Sequence, residues 1–200
     1  MLAMPNAIMM EGVVFNANDV IRRRTLATIE GTAVEVPSPE GLVHLQFRRF
    51  AGCPICSLHL HEVARRHAEI SGAGVAEVVV FHSSVDALRR YQADLPFAVV
   101  ADPDRALYRE FGVENSLRGV VNRHVARAVG RGLLQMRSVR EVAGMLGPTE
   151  NRMSMPADFL IAPDGIVLAR KYGEHADDQW TVDELLALGW GAGCGRRSMQ

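Results

Sequence analysis

Two thiols two residues apart, in Cys53-Pro54-Ile55-Cys56, are the side chains of this sequence best suited to chemistry. They follow an apolar run, Leu42-Val43-His44-Leu45-Gln46-Phe47, and open a helical pattern. A dithiol at a strand-to-helix junction suits thiol–disulfide exchange. Zinc sites also use C-x-x-C, but a structural zinc needs four ligands, usually a second C-x-x-C or a spaced His pair. The only other cysteine is Cys194, in a Gly-rich tail, which reads as a tail thiol with a second resolving role as the alternative. His59 and His61 follow closely, giving C-x2-C-x2-H-x-H. His59 lies one turn from Cys56 while His61 points elsewhere on a helix, so the four do not readily share one ion. Haem attachment through C-x-x-C-H is excluded, because Ser57 follows Cys56. No metal or cofactor is expected.

The helical phase gives the two sulfurs different places. Leu60, Val63, Ala64 and Ala68 recur near the 3.6-residue period. Cys56, four residues before Leu60, joins the buried face. Cys53 falls at the N-cap and is expected to stay reachable. Pro54 fits the first helical position, where a missing N–H costs nothing. Unpaired N–H groups and the helix dipole favour a thiolate at Cys53. One activated and one shielded sulfur is what exchange requires: the first attacks and the second resolves the mixed disulfide. The alternative is a pair of buried thiols in an ordinary βα unit.

These residues need a scaffold, and 200 residues suffice for one domain with a real core. A net charge of −1 and 48% hydrophobic content point away from disorder, nucleic-acid binding and membrane insertion. No apolar run approaches the ~18 residues of a membrane span. Met1 to Gly12 is apolar but short, contains Pro5 and lacks a basic leader, unlike a signal peptide. An odd cysteine count argues against a disulfide framework. A reducing cytoplasm with transient disulfides is expected.

Residues 1–23 form an N-terminal extension with little pattern beyond Arg22-Arg23-Arg24. Thr25–Ile29 and Ala33–Val36 flank Glu30-Gly31-Thr32, which predicts a β-hairpin. A strand over about 42–50, a helix over about 54–71 and a buried strand from Val75 to Phe81 follow. Ser83-Ser84-Val85-Asp86 carries a capping-box pattern. Phe97–Val100 reads as a third strand before a helix over about 104–111. Residues 114–150 read as a helical insertion rich in arginine (Arg118, Arg123, Arg127, Arg131, Arg137, Arg140), either a solvated face or a surface for an anionic partner. Pro163-Asp164-Gly165 joins Ala157–Ile161 to Ile166–Tyr172 as a late hairpin. Thr181–Leu188 is a final helix, and residues 191–200 are expected to be a flexible tail. The order β-α-β-α-β-α, then hairpin and helix, predicts an α/β fold with parallel strands and an antiparallel edge. Cys53 then lies at the carboxyl end of the sheet, where open α/β sheets place their sites. His82, ending the second parallel strand, is expected at the same edge, as a proton acceptor or as a satisfied structural histidine.

A C-x-x-C opening a helix after a strand, with Met155-Pro156 leading into a late hairpin strand, resembles the thioredoxin fold. The segment from Phe47 to Cys56, with Arg48-Arg49-Phe50 before the dithiol, resembles the peroxiredoxin-like branch, the alkyl hydroperoxide reductase/thiol-specific antioxidant (AhpC/TSA) group. Phe159 to Gly165 is similar to the late hairpin of that group. The resemblance spans about residues 24–190. It implies a thioredoxin-like domain there, with a central mixed sheet flanked by helices. It aligns Cys53 with the attacking cysteine, Cys56 with the thioredoxin-type resolving cysteine, and Pro156 with a cis-proline beside the dithiol. Two positions differ from typical peroxiredoxins: Phe50 stands where they have threonine, and Pro156 falls near their arginine. Arg48 or Arg49 is the substitute for stabilising the thiolate, and only one of two adjacent strand residues can point to a given face.

The expected function is a thiol-dependent oxidoreductase, a peroxiredoxin-like antioxidant acting on peroxide. A protein dithiol–disulfide oxidoreductase is the alternative within enzymes, and a non-catalytic binding module is the alternative outside them. Without the threonine and arginine, peroxide reduction should be slow. The expected partners are a peroxide or disulfide substrate and an external thiol reductant of thioredoxin or glutathione type. No nucleic acid or membrane partner is expected, and a homodimer is a candidate assembly.

Overall fold

In the computed structural model, residues 14–113 and 154–197 are described. The strands are β1 (Arg24–Ala27), β2 (Ala33–Val36), β3 (Leu42–Arg48), β4 (Val75–Phe81), β5 (Ala98–Ala101), β6 (Ala157–Ile161) and β7 (Val167–Tyr172). The helices are α1 (Pro54–Arg65), α2 (His67–Gly72), α3 (Val85–Gln92), α4 (Ala106–Glu110) and α5 (Val182–Arg197). β1 and β2 pair as the expected hairpin. The main sheet has the order β5-β4-β3-β6-β7. β3, β4 and β5 are parallel, and β6 and β7 are antiparallel additions, as the helical crossovers and late hairpin predict. Gly165, at φ +90°, takes the left-handed position of that hairpin turn.

β3 is the central strand and all seven of its residues are buried. Strand alternation divides them. Val43, Leu45 and Phe47 join Val78, Val80, Phe159 and Ile161 in one hydrophobic layer. His44, Gln46 and Arg48 occupy the opposite face, where Glu77 of β4 and Asp158 of β6 meet them. The apolar run therefore conceals a buried ionic stripe. The rest of that face is apolar: Cys53, Ile55, Cys56 and Leu60 pack with Val79, Phe81 and Leu88. Val63, Ile70 and Trp180 pack with Leu185 and Leu186 of α5.

Several boundaries differ from expectation. The helix expected over 54–71 is two helices, broken at Arg66. Ser84 rather than Ser83 caps α3, accepting from the Ala87 N–H at 3.3 Å. Ala87 holds the position a reciprocal Glu would need, so the capping box is half formed. The final helix continues to Arg197 rather than ending near Leu188, through glycines that read as breakers. The N-terminal extension docks: Asn18 N–H donates to the Val167 carbonyl and Ile21 N–H to the Gly165 carbonyl, both at 2.8 Å, covering part of the β7 edge. The expected insertion 114–150 lies outside the described residues. No described helix is long and apolar enough to cross a membrane.

Candidate active site

β3 ends at Arg48 and α1 begins at Pro54, so Arg49 to Cys53 form the turn between them. The Cys53 N–H donates to the Phe50 carbonyl at 3.0 Å, and the Cys53 carbonyl accepts the Ser57 N–H at 2.9 Å. Cys53 is the N-cap of α1 with Pro54 at its first position, as the spacing predicts. Its sulfur accepts the Cys56 backbone N–H at 3.4 Å. Arg49 Nη1 donates to the same sulfur at 3.9 Å.

The electrostatics separate the thiols. Burial pushes the Cys53 thiol up. The Cys56 thiol donating to it, the Arg49 guanidinium and the Cys56 and Ile55 backbone N–H groups outweigh that and bring it down to about 7. Burial, reinforced by the Cys53 sulfur beside it, pushes the Cys56 thiol well above the ordinary range. Both cysteines are free.

One expectation fails here. Cys53 is fully buried rather than reachable, like Cys56. Capping places a sulfur at the helix end but does not expose it: Phe50, Ala51 and Phe81 belong to the apolar cluster around it.

The structure divides the two arginines. Arg49 faces the Cys53 sulfur and lies 5.7 Å from the Phe50 ring centroid. Arg48, the last residue of β3, turns along the sheet face into the ionic stripe and is fully buried. Its guanidinium donates to Asp158 at 2.7 Å, to Gln46 Oε1 at 2.6 Å and to His59 Nε2 at 3.1 Å. It anchors the ionic stripe and does not contact the dithiol. His59 is thereby taken into the stripe, and burial with the Arg48 charge keeps it neutral.

His82 sits at the end of β4 but bonds Ser154 Oγ at 2.8 Å. Burial, aided by the Arg105 and Arg49 charges, brings it down to about 4, so it is neutral. That fits the satisfied structural histidine. The Met155-Pro156 bond is not cis; among the described residues the cis bond is Val36-Pro37. β6 starts at Ala157, and a trans bond carries the chain straight on into it. Pro156 meets the residue after β7: its carbonyl accepts the Gly173 N–H at 2.9 Å, and a Cβ at Gly173 would lie 2.8 Å from its ring.

Three side chains that the sequence did not single out for the site complete its surroundings. Ser83 and Gln92 bind the backbone of Ala51, and the Tyr108 hydroxyl donates to the Arg48 carbonyl. Their signal in the sequence is only a polar residue within an apolar pattern. No described group of His, Cys, Asp and Glu has the arrangement of a metal site.

Comparison with known proteins follows the same lines. The chain resembles, in structure, the peroxidoxin BcpB of Mycobacterium tuberculosis (TM-score 0.62, 16% identity), over 88% of this chain and 96% of that one. It also resembles the reduced 2-Cys peroxiredoxin of Plasmodium vivax (TM-score 0.63, 11% identity), over 90% and 83%. A third likeness is a putative thiol:disulfide interchange protein DsbE of Chlorobium tepidum (TM-score 0.54, 20% identity), over 87% and 98%. These likenesses establish the thioredoxin-like α/β fold. No curated protein matches by sequence. The family model described as AhpC/TSA antioxidant enzyme matches residues 60–175, beginning four residues after Cys56. That match spans more than half of the sequence, and the chain belongs to the AhpC/TSA antioxidant enzyme family, as a thiol-dependent oxidoreductase.

Proposed function

We propose that Cys53 and Cys56 are the redox couple of a peroxide reductase. The observation that carries this reading is the unequal placement of two thiols one helical turn apart: the Cys53 sulfur caps α1, accepts the Cys56 N–H and faces the Arg49 guanidinium, which lowers its thiol while burial raises that of Cys56. Cys53 thiolate attacks one peroxide oxygen and the O–O bond breaks. The sulfur becomes a sulfenic acid, and the leaving oxygen takes a proton to become an alcohol or water. Cys56 thiol then condenses with the sulfenic acid, forming the Cys53–Cys56 disulfide and releasing water. An external dithiol, or two monothiols, supplies the two electrons that reopen it, by exchange through a mixed disulfide. Such a cycle suits a reducing compartment such as the cytoplasm.

Burial favours peroxide over a protein disulfide. A fully buried sulfur admits a small molecule with less rearrangement than a polypeptide. Phe50 offers no hydrogen bond to the peroxide, so the rate should be modest; one oriented donor to developing charge is worth about 100- to 1000-fold. Protein disulfide exchange is the second reading, supported by the likeness to an interchange protein. A binding module has no use for the asymmetry between the thiols.

The test compares the reduced protein's rate of hydrogen peroxide consumption with its rate of reducing insulin disulfides. Faster peroxide chemistry is expected. Rapid insulin reduction with no peroxide consumption above the uncatalysed rate would reverse the assignment.

A further inference from the structure

Ala51 lies midway between Arg49 and Cys53, in a turn with no ladder partner of its own. Buried backbone groups must still find partners, and those of Ala51 find two side chains. Its N–H donates to Ser83 Oγ at 2.9 Å, and its carbonyl accepts from Gln92 Nε2 at 2.6 Å. Ser83 follows β4 and Gln92 ends α3, so two separate elements grip one residue. Both side chains are buried, at 1% and 4% exposure, beside the apolar cluster of Phe81, Leu88 and Val99. Burying polar groups there is unfavourable unless they are bonded. Leaving either Ala51 group unpaired would also be costly.

We propose that Ser83 and Gln92 are positioning residues: by gripping Ala51 from two sides they hold the Cys53 sulfur against the Arg49 guanidinium and the amino end of α1. This rests on the reading of Cys53 as the attacking thiol. The contact most at risk is the longest one, Arg49 Nη1 to sulfur at 3.9 Å. A small shift of the turn breaks it. The Cys53 N–H to Phe50 carbonyl bond depends on the same backbone.

Among the described residues, six titratable or charged groups surround this turn. Arg49 acts from the turn and Cys56 from α1. His82, after β4, is neutral and bonded to Ser154. Tyr108 of α4 donates to the Arg48 and Val80 carbonyls, and burial keeps its hydroxyl protonated. Arg105, before α4, lies 5.8 Å from the Tyr108 ring centroid. Asp102, after β5, is occupied by the Ala106 and Tyr108 N–H groups. The grip on Ala51 fixes the turn that carries Arg49 to the sulfur.

The test follows alkylation of the reduced full chain by iodoacetamide against pH, read at the Cys53 peptide by mass spectrometry. The midpoint reports the thiolate, whereas a variant that changes only access to the sulfur would alter the plateau rate alone. Wild-type protein should give a midpoint near 7. Ser83→Ala and Gln92→Met should each raise it by about one pH unit, the lower range for losing a neighbouring opposite charge. Ser83→Thr, which keeps the hydroxyl, should restore it. Thermal melts establish that each variant is folded. If Gln92→Met does not fold, Gln92→Asn withdraws the same amide by one methylene. A wild-type midpoint near the ordinary thiol value of about 8.5 would overturn the reading of Cys53 and the proposal with it. A wild-type midpoint near 7 that stays unchanged in the folded variants would overturn the grip alone.

Discussion

At the scale of single residues, Arg48 and Arg49 differ by one step along the chain and by everything in their surroundings. Strand alternation sends Arg48 into the buried stripe with Asp158, while Arg49, the first residue of the turn, meets the Cys53 sulfur. Removing them should therefore have different consequences. Arg49→Ala should leave the melting temperature nearly unchanged and lower the thiolate fraction of Cys53 at pH 7. Peroxide consumption at pH 7 should fall about fivefold, the loss of thiolate when a pKa near 7 rises by about one unit with a lost neighbouring charge. Arg48→Ala should instead destabilise the fold, since Asp158 would lose a buried partner. Paired melts and peroxide assays of both variants check this, and an Arg49→Ala variant as active as wild type would remove Arg49 from the site. The sequence narrowed the choice to these two residues. It could not choose between them, because the phase of β3 relative to α1 depends on pairing with β4 and β6.

At the scale of elements, β3 carries the least expected feature. His44, Gln46 and Arg48 read as interruptions of an apolar strand, yet they align with Glu77 on β4 and Asp158 on β6 in one stripe. Burial pushes His44 down, but the Glu77 and Asp158 carboxylates outweigh that and raise it to about 9. Burial pushes Asp158 up, but Arg48 and His44 outweigh that and hold it well below the carboxylate range. The His44 contribution is fully present below its unfolded value of about 6.5 and is lost as pH rises through 9. His59 and His82, held neutral, act oppositely, and their contribution is lost as pH falls below about 6.5. Cys53 also opposes His44, because its lowered thiol adds stability as pH rises from 7 towards 9. In Cys53→Ser, which removes that opposition, the melting temperature should peak near pH 6.5–7. It should fall by pH 9 by an amount on the order of 3 kcal/mol, roughly 6–12 °C for a chain of this size. A melting temperature still rising between pH 7 and 9 in that variant would show that His44 is not charged in the stripe. The hairpins and the parallel strands were legible in hydrophobic pattern and turn chemistry. The stripe was not, because its charges cancel only between strands distant in sequence.

At the scale of the whole molecule, the carboxyl edge of the sheet gathers the dithiol, Arg49 and the residues that hold their turn. The topology was legible in the order of elements, and so was the position of Cys53 as N-cap with Cys56 one turn on. The burial of Cys53 was not, because helix phase places a residue around an axis and says nothing of Phe50 and Phe81 packing over the helix end. The Met155-Pro156 bond went against expectation: it is trans, the commoner state even before proline. What joins these scales is the proposed cycle, in which Cys53 would receive the oxidising equivalent and Cys56 would resolve it. The most direct measurement is peptide mass mapping after one equivalent of hydrogen peroxide is added to the reduced protein. Wild type should yield the Cys53–Cys56 disulfide, Cys56→Ser a sulfenic acid at Cys53 trapped by dimedone, and Cys53→Ser no oxidised cysteine. Oxidation that falls on Cys194, or persists at Cys56 in Cys53→Ser at the wild-type rate, would contradict the assignment.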